Sequence, residues 1–146
     1  FTWNPRNVVM AGQGTAKYLH EGSTKYIPYQ QLFRRITPVH VPGHGHFEGY
    51  ANRDSLAYIE RYGLHNIGTM LRGTLRYKGF CAAWNLLVQL GCCDDTYLME
   101  DVSEMTHAGF IDAFLPPLQD ADNVELRVCK HFGLKPQSCC FIKWPG

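Results

Sequence analysis

The sequence lacks a strong charge of either sign and lacks any long apolar run. Its 14 lysines and arginines nearly balance its 13 aspartates and glutamates, which leaves a net charge of +1. Net charge therefore gives no attraction to nucleic acid or to a membrane surface. No apolar run approaches the roughly 20 residues that a membrane-spanning helix needs. We expect neither nucleic acid nor a membrane among the partners of this chain.

The chain also lacks the cysteine and glycine spacings of common metal and dinucleotide sites. Its six cysteines include the adjacent pairs Cys92-Cys93 and Cys139-Cys140 but no C-x2-C, a spacing that zinc sites often use. Adjacent cysteines have poor geometry for ordinary disulfides, so we predict reduced, mostly buried thiols in a cytoplasmic protein. Gly12-Gln13-Gly14 is only a fragment of the G-x-G-x-x-G fingerprint. We expect no NAD or NADP to bind to this chain.

What is present favours one globular domain with its own core. The 146 residues are 45% hydrophobic, which is enough to bury a core without disulfide or metal crosslinks. The opening FTWNPRNVV has neither an initiator methionine nor the apolar region of a signal peptide. We therefore expect Phe1 to be a cut edge within a longer protein.

Local patterns predict strands and helices in the first half of the chain and helices alone in the second half. Strands are predicted at 24–27, 36–41, 47–50 and 69–77, with 36–41 at a sheet edge because prolines bound it. Helices are predicted at 4–18, 29–34, 54–62, 78–90, 106–115 and 122–132. This order indicates an α+β fold with a mixed sheet, flanking helices and a helical C-terminal part. Residues 1–115 would form the main unit, and 116–146 a helical continuation with an unassigned tail.

The stretch LRGTLRYKGF, residues 71–80, carries the clearest functional pattern. In a strand, Arg72, Thr74 and Arg76 share one face. The other face would be apolar and pack on a core, with Leu71, Gly73, Leu75 and Tyr77. Guanidinium groups bind carboxylates through paired, charge-assisted hydrogen bonds, and four residues of strand span about 13 Å. This spacing suits a ligand with several carboxylates. The alternative is that the arginines are solvated or paired with acids of the same protein.

A second basic feature, Asn52-Arg53-Asp54-Ser55, lies between a predicted strand and a predicted helix. Asp54 or Ser55 can cap that helix. Arg53 would then project near the helix N-terminus, where the dipole favours anions. The same four residues are also simply a good capping sequence, so both interpretations stay open.

Together, GYANRDSLAYIERYG and TMLRGTLRYKGF resemble the glutamate-forming saccharopine dehydrogenases, also called saccharopine reductases. That family carries closely similar G-Y-x-N-R-D-S and R-G-T-L-R-Y-x-G-F segments at the same separation. FTWNPRNVV and KYIPYQQLFRR are similar to the bacterial branch of the family. The resemblance extends from Phe1 to about Leu115 and fades in the tail, where CCFIKWPG matches no pattern.

This resemblance implies a function in lysine metabolism. The family oxidises saccharopine with NAD or NADP and water to glutamate and 2-aminoadipate semialdehyde. It combines an N-terminal Rossmann domain, which holds the dinucleotide, with a second domain that binds saccharopine and supports dimerisation. The chain would be a fragment of that second domain, inactive alone and part of a homodimer. The family's saccharopine contacts match Arg53, Thr74, Leu75 and Arg76, and strand alternation adds Arg72.

Three other interpretations stay open at this level. The first is a zinc or nickel site formed by His40, His44, His46 and Glu48, although histidines in glycine-rich loops are usually solvated. The second is a nucleophilic dyad of Cys81 with a histidine, although Cys81 falls on the apolar side of a predicted helix. The third is a non-catalytic oligomerisation module whose surface would include Met99, Met105, Phe110 and Phe114, residues that could equally belong to the core.

Overall fold

The computed structural model describes residues 4–117 and 123–135. Its five strands form two small antiparallel sheets. β1 (Ala16–His20) pairs with β2 (Ser23–Ile27), and a second sheet has the order β3 (Thr37–Val41), β4 (Gly45–Ala51), β5 (Gly73–Tyr77). The α+β class is confirmed, with two antiparallel sheets where a mixed sheet was expected.

Six α-helices accompany the sheets in the described ranges. They are α1 (Pro5–Val9), α2 (Tyr29–Leu32), α3 (Ala57–Arg61), α4 (Phe80–Leu90), α5 (His107–Asp112) and α6 (Val124–Phe132). Short 3-10 turns lie at Met10–Gly12 and Val102–Glu104. The strands and helices predicted from residue 24 onward are confirmed in type, and β3 is an edge strand as its prolines predicted.

The prediction of a single helix over residues 4–18 is wrong. The helix ends as a 3-10 turn at Gly12, Gly14 has a φ of +89°, and Ala16–His20 is a strand. Glycine is a poor helix former and readily adopts positive φ, so the chain turns there. Pairing of Ala16–His20 with β2 then satisfies its backbone polar groups, which decides the strand.

The main core lies between the two sheets and helices α2 and α4. Phe33 packs edge-on against Tyr50 at 4.9 Å between ring centroids, and Phe80 stacks on Trp84 at 4.6 Å. The buried members of this core are Ala16, Ile27, Leu32, Phe33, Tyr50, Ala51, Cys81, Val88 and Cys93. A second cluster joins α5 and α6 through Ile111, Leu115 and Val128. Leu87 of α4 contacts both clusters and so links them.

The cysteines only partly follow the prediction. Cys81, Cys92 and Cys93 are free thiols, but Cys129 is disulfide-bonded. The expectation of reduced thiols is therefore wrong for Cys129. A disulfide depends on tertiary approach of two Cβ atoms, which sequence spacing does not reveal. Cys139, Cys140 and the tail CCFIKWPG lie outside the described residues.

No helix in residues 4–117 and 123–135 combines the length and the apolar character that crossing a bilayer requires. The cytoplasmic location stays a prediction.

Candidate functional site

A polar cavity of about 390 Å³ opens beside the three-stranded sheet. Its walls come from residues 7–14, from the end of β4 with its following loop at 50–53, and from the β5 region at 72–76. Four of the five predicted site residues line it together: Arg53, Arg72, Thr74 and Arg76. Leu75 does not, because its side chain lies on the opposite face of β5 and is 45% exposed.

The orientation of β5 differs from the expectation. Leu71, Leu75 and Tyr77 were predicted to pack on a core, but they are exposed in the structure, Tyr77 by 75%. The half-buried face is the one that carries Thr74 and Arg76. Alternation along the strand was read correctly, but which face is covered depends on the tertiary position of α1 and α4.

The arginines on β5 rest on aromatic rings. The guanidinium carbon of Arg72 lies 4.3 Å from the ring centroid of Tyr58, and that of Arg76 lies 4.9 Å from that of Phe80. Such cation–π contacts hold a guanidinium in place without neutralising its charge. The N–H groups at the guanidinium edges therefore remain usable for an anion.

None of the three cavity arginines pairs with a carboxylate in the described part of the chain, where the ion pairs involve other residues. In addition, Arg76 Nε is buried and makes no hydrogen bond there. A buried donor without a partner costs free energy. Pairing with an acid of the same protein, one of the alternatives from the sequence, is thus not found in residues 4–117 and 123–135.

The segment Asn52–Ser55 is fixed by backbone contacts that the capping interpretation did not foresee. The hydroxyl of Ser55, which is fully buried, accepts a hydrogen bond from Arg72 N–H at 2.9 Å. The N–H of Ser55 donates to Lys17 O at 2.8 Å, and Lys17 N–H donates to Arg53 O at 2.9 Å. Asp54 Oδ1 accepts from Leu56 N–H at 2.8 Å, just before α3. The N-cap of α3 is Leu56, and no side chain caps this helix. The prediction that Asp54 or Ser55 caps it is therefore wrong, and Ser55 instead joins three segments.

These contacts hold Arg53 in an unusual conformation. Its φ is +46°, in the left-handed region that side-chain-bearing residues rarely adopt. Such a conformation costs about 1–3 kcal/mol and persists only when neighbouring contacts enforce it. Backbone strain at a charged residue on a cavity wall is typical of a functional position.

The wall formed by residues 7–14 is anchored on α4. Trp84 Nε1 donates to Val8 O at 3.0 Å. Gly12 approaches α4 so closely that a Cβ atom there would lie 2.6 Å from Val88 Cγ2. Glycine at this position is therefore needed for packing, and the GQG sequence lies between a 3-10 turn and a strand. The dinucleotide fingerprint instead joins a strand to a helix.

Glu48 stabilises the start of α4, next to the β5 wall of the cavity. Its carboxylate accepts hydrogen bonds from Gly79 N–H at 3.0 Å and Cys81 N–H at 3.1 Å, at the start of α4. Burial alone would raise the pKa of Glu48, but these N–H groups outweigh burial and hold the pKa below its ordinary value of 4.5. Glu48 lies opposite Arg76 in the register of β4 and β5. Its contacts with the start of α4 therefore help to fix both Phe80 and the strand that carries Arg76.

Two cavity residues escaped the sequence patterns. Gln13 Nε2 donates to Asp95 Oδ1 at 2.9 Å, and Asn52 Nδ2 donates to Thr74 Oγ1 at 3.3 Å. Asn52 is next to Arg53 in the sequence, and this position could have predicted that it lines the cavity. No sequence pattern could have predicted Gln13, because its place in the cavity results from packing of the 3-10 turn on α4.

The metal and nucleophile interpretations find no support. The rings of His40 and His46 lie 4.5 Å apart across β3 and β4, but Glu48 caps α4. No cluster of three or more potential ligands occurs in the described ranges. Cys81 is fully buried, and burial, followed by its contact with Glu48, raises the pKa of its thiol to about 12. A thiol that stays protonated at neutral pH is a poor nucleophile.

The residues suggested for an oligomer surface on the helical half are half-buried. Phe110 packs against the second core cluster. Its ring lies 5.2 Å from that of Phe114. Phe110 therefore belongs to the core of this half of the chain, which was the alternative to an oligomer surface.

The fold and the cavity define an α+β domain with a polar cavity lined by three arginines. The saccharopine dehydrogenase C-terminal domain family matches residues 1–133. This match covers most of the sequence, and the chain belongs to that family.

Named relatives agree with this assignment. The chain is 43% identical over 93 residues to the mitochondrial alpha-aminoadipic semialdehyde synthase of Mus musculus, covering 62% of this chain and 10% of that protein. It is 38% identical over 97 residues to the saccharopine dehydrogenase [NADP(+), L-glutamate-forming] of Schizosaccharomyces pombe, covering 66% and 21% respectively. The chain thus corresponds to a small part of the length of both relatives.

A solved structure shows the same fold. The apo histidine-tagged saccharopine dehydrogenase (L-Glu forming) from Saccharomyces cerevisiae superposes with a TM-score of 0.65 at 23% identity, covering 91% of this chain and 34% of that one. At this identity the comparison supports the fold alone.

We predict that Glu48→Gln destabilises the protein in a pH-dependent manner. At pH 7 the variant should lose about 1 kcal/mol of unfolding free energy, the usual effect of losing a helix cap. Because the folded pKa of Glu48 lies below 4.5, the contribution of the carboxylate is complete above pH 4.5. It is lost as the pH falls through the folded value, so the deficit should shrink there. Urea unfolding between pH 3 and 7 measures this.

The control for this experiment is Glu100→Gln, which changes an exposed glutamate. A deficit in Glu48→Gln that stays constant with pH would contradict the proposed role of the Glu48 carboxylate.

Proposed function

We propose that this chain is the substrate-binding part of a saccharopine dehydrogenase, which oxidises saccharopine with NAD or NADP and water to glutamate and 2-aminoadipate semialdehyde. The observation that carries the proposal is the cavity lined by Arg53, Arg72 and Arg76. Membership of the family supplies the enzyme class.

Charge and geometry support this ligand. Saccharopine carries three carboxylates, and the cavity presents three guanidinium groups with the hydroxyl of Thr74 among them. Arginine binds a carboxylate through two parallel hydrogen bonds. A carboxylate at Arg76 would also satisfy its buried Nε, which makes no hydrogen bond within the described residues. Leu75 would contribute through its backbone, because its side chain is on the other face of β5.

The same cavity explains why the chain alone should be inactive. Among the described residues that line it, none is a lysine, aspartate, glutamate, histidine or cysteine, and Tyr50 is buried in the core against Phe33. Oxidation at a C–N bond needs a hydride acceptor, which the dinucleotide supplies when it is bound, and a group that moves protons. We propose that both belong to a separate dinucleotide-binding domain. The residues of this chain bind and orient the carboxylates.

We also propose that the chain contributes to a homodimer. Leu75 and Tyr77 are 45% and 75% exposed on the outer face of the second sheet, and the ring of Phe47 lies 5.2 Å from that of Tyr77. An exposed apolar face of this kind is typical of an interaction surface. This observation favours the sheet over the helical half as the dimerisation surface. The choice of a second copy of the chain as the partner rests on the family resemblance.

The direct test of the enzymatic role compares the full-length polypeptide with this 146-residue chain. Saccharopine is added with NAD or NADP, and the absorbance of the reduced nicotinamide is followed. We expect activity in the full-length polypeptide and none in the chain alone. If a folded full-length polypeptide is inactive with both dinucleotides, saccharopine is not the substrate.

We predict that Arg76→Ala in the full-length polypeptide raises the KM for saccharopine far more than the KM for the dinucleotide. Loss of one charge-assisted pair should cost about 2 kcal/mol, or about 30-fold in KM. The matched control is Arg34→Ala, which removes an exposed arginine outside the cavity. An unchanged KM for saccharopine in Arg76→Ala would contradict the assignment of this arginine.

We predict that Tyr77→Ser weakens the dimer. Removing the most exposed aromatic ring on the outer sheet face should shift sedimentation velocity profiles towards the monomer at a given concentration, because apolar contact area is lost. Tyr26→Ser, at a tyrosine of β2 that is 57% exposed, is the control. A monomeric parent, or an equal shift in both variants, would argue against this surface.

A further inference from the structure

The cavity combines cationic and neutral groups in a way that constrains its ligand. Besides three arginines, a threonine and Tyr50, its polar side chains are the carboxamides of Asn7, Gln13 and Asn52, and no carboxylate among the described residues faces it. A ligand that carries a protonated amine needs hydrogen-bond acceptors. Beside three guanidinium groups, a wall carboxylate would pair with an arginine and compete with the ligand. A neutral amide oxygen accepts without that competition.

The orientation of Gln13 follows from its partner. Asp95 Oδ1 is a carboxylate oxygen and can only accept, so the Gln13 amide group directs its Nε2 towards Asp95 at 2.9 Å. Asp95 is held in turn by Arg6, whose NH2 group lies 2.7 Å from Asp95 Oδ2. Because Nε2 donates one of its two hydrogens to Asp95, the amide is held with Oε1 directed away from Asp95. Oε1 is the acceptor that Gln13, as a lining residue, offers to a cavity ligand.

We propose that Gln13 is a specificity-determining residue that accepts a hydrogen bond from the amino group of the ligand, and that Asp95 is its positioning residue. The cavity would thereby prefer amino-dicarboxylates to dicarboxylates that lack the amine. This inference rests on the proposed function, because the arginines supply the carboxylate affinity that both ligand classes share. The quantity to measure is the ratio of the affinities for a dicarboxylate with and without the amine. A general loss of structure would weaken the binding of both ligands and leave this ratio unchanged.

The test is isothermal titration of the full-length polypeptide with L-glutamate and with glutarate, which differ only in the amine, and with saccharopine as reference. The wild type should bind glutamate more tightly. Gln13→Met, which keeps the length and removes the acceptor, should reduce that preference by about tenfold, as expected for a hydrogen bond to a charged group. Glutarate affinity should stay nearly unchanged. Asp95→Ala should reduce the preference in the same direction, because it leaves the amide of Gln13 free to rotate.

The matched control is Gln89→Met. Gln89 lies on α4 and donates to Gln30 O at 3.0 Å, outside the cavity lining, so its replacement should leave the preference intact. A preference unchanged in Gln13→Met, or a wild type that binds both ligands equally while binding saccharopine, overturns this inference alone. Failure of the wild type to bind saccharopine overturns the proposed function and this inference with it.

Discussion

The buried hydroxyl of Ser55 is the contact on which the site depends. It accepts from Arg72 N–H while the backbone of the same residue binds Lys17. Through its hydroxyl and its backbone N–H, this one residue joins β1, the loop that carries Arg53 and the segment that enters β5. Because the site is built from residues distant in sequence, its geometry requires such a crosslink, and full burial shields the hydrogen bond from competing water.

Two guanidinium groups of the cavity are held by aromatic rings. Arg72 and Arg76 lie over Tyr58 and Phe80 instead of beside carboxylates. Aromatic rings stabilise a guanidinium through their negative faces and leave its N–H edge unpaired. The acid nearest along the sheet, Glu48, is engaged by the N–H groups at the start of α4. The Glu48 carboxylate is thus engaged elsewhere, and the cavity arginines have no carboxylate partner in the described part of the chain.

The same arrangement links the site to the core. α4 places Phe80 below the guanidinium of Arg76, and its Trp84 anchors the wall formed by residues 7–14. Leu87 of the same helix contacts both core clusters. Family membership accounts for the fold, while the chain corresponds to only 10% of one relative and 21% of another. The described residues that line the cavity include no lysine, histidine, cysteine or carboxylate, which agrees with the proposal that another domain supplies the proton-transfer groups.

Local sequence patterns were enough to predict the element types from residue 24 onward, the alternation that groups Arg72 with Thr74 and Arg76, and the family. These features depend on local periodicity and on contiguous motifs, which are visible in one dimension. Three other features could be seen only in the folded chain: Ala16–His20 is a strand, Leu75 and Tyr77 face outward, and Gln13 lines the cavity. Each of these depends on which segment packs against which, and strand pairing and burial involve partners far apart in the chain.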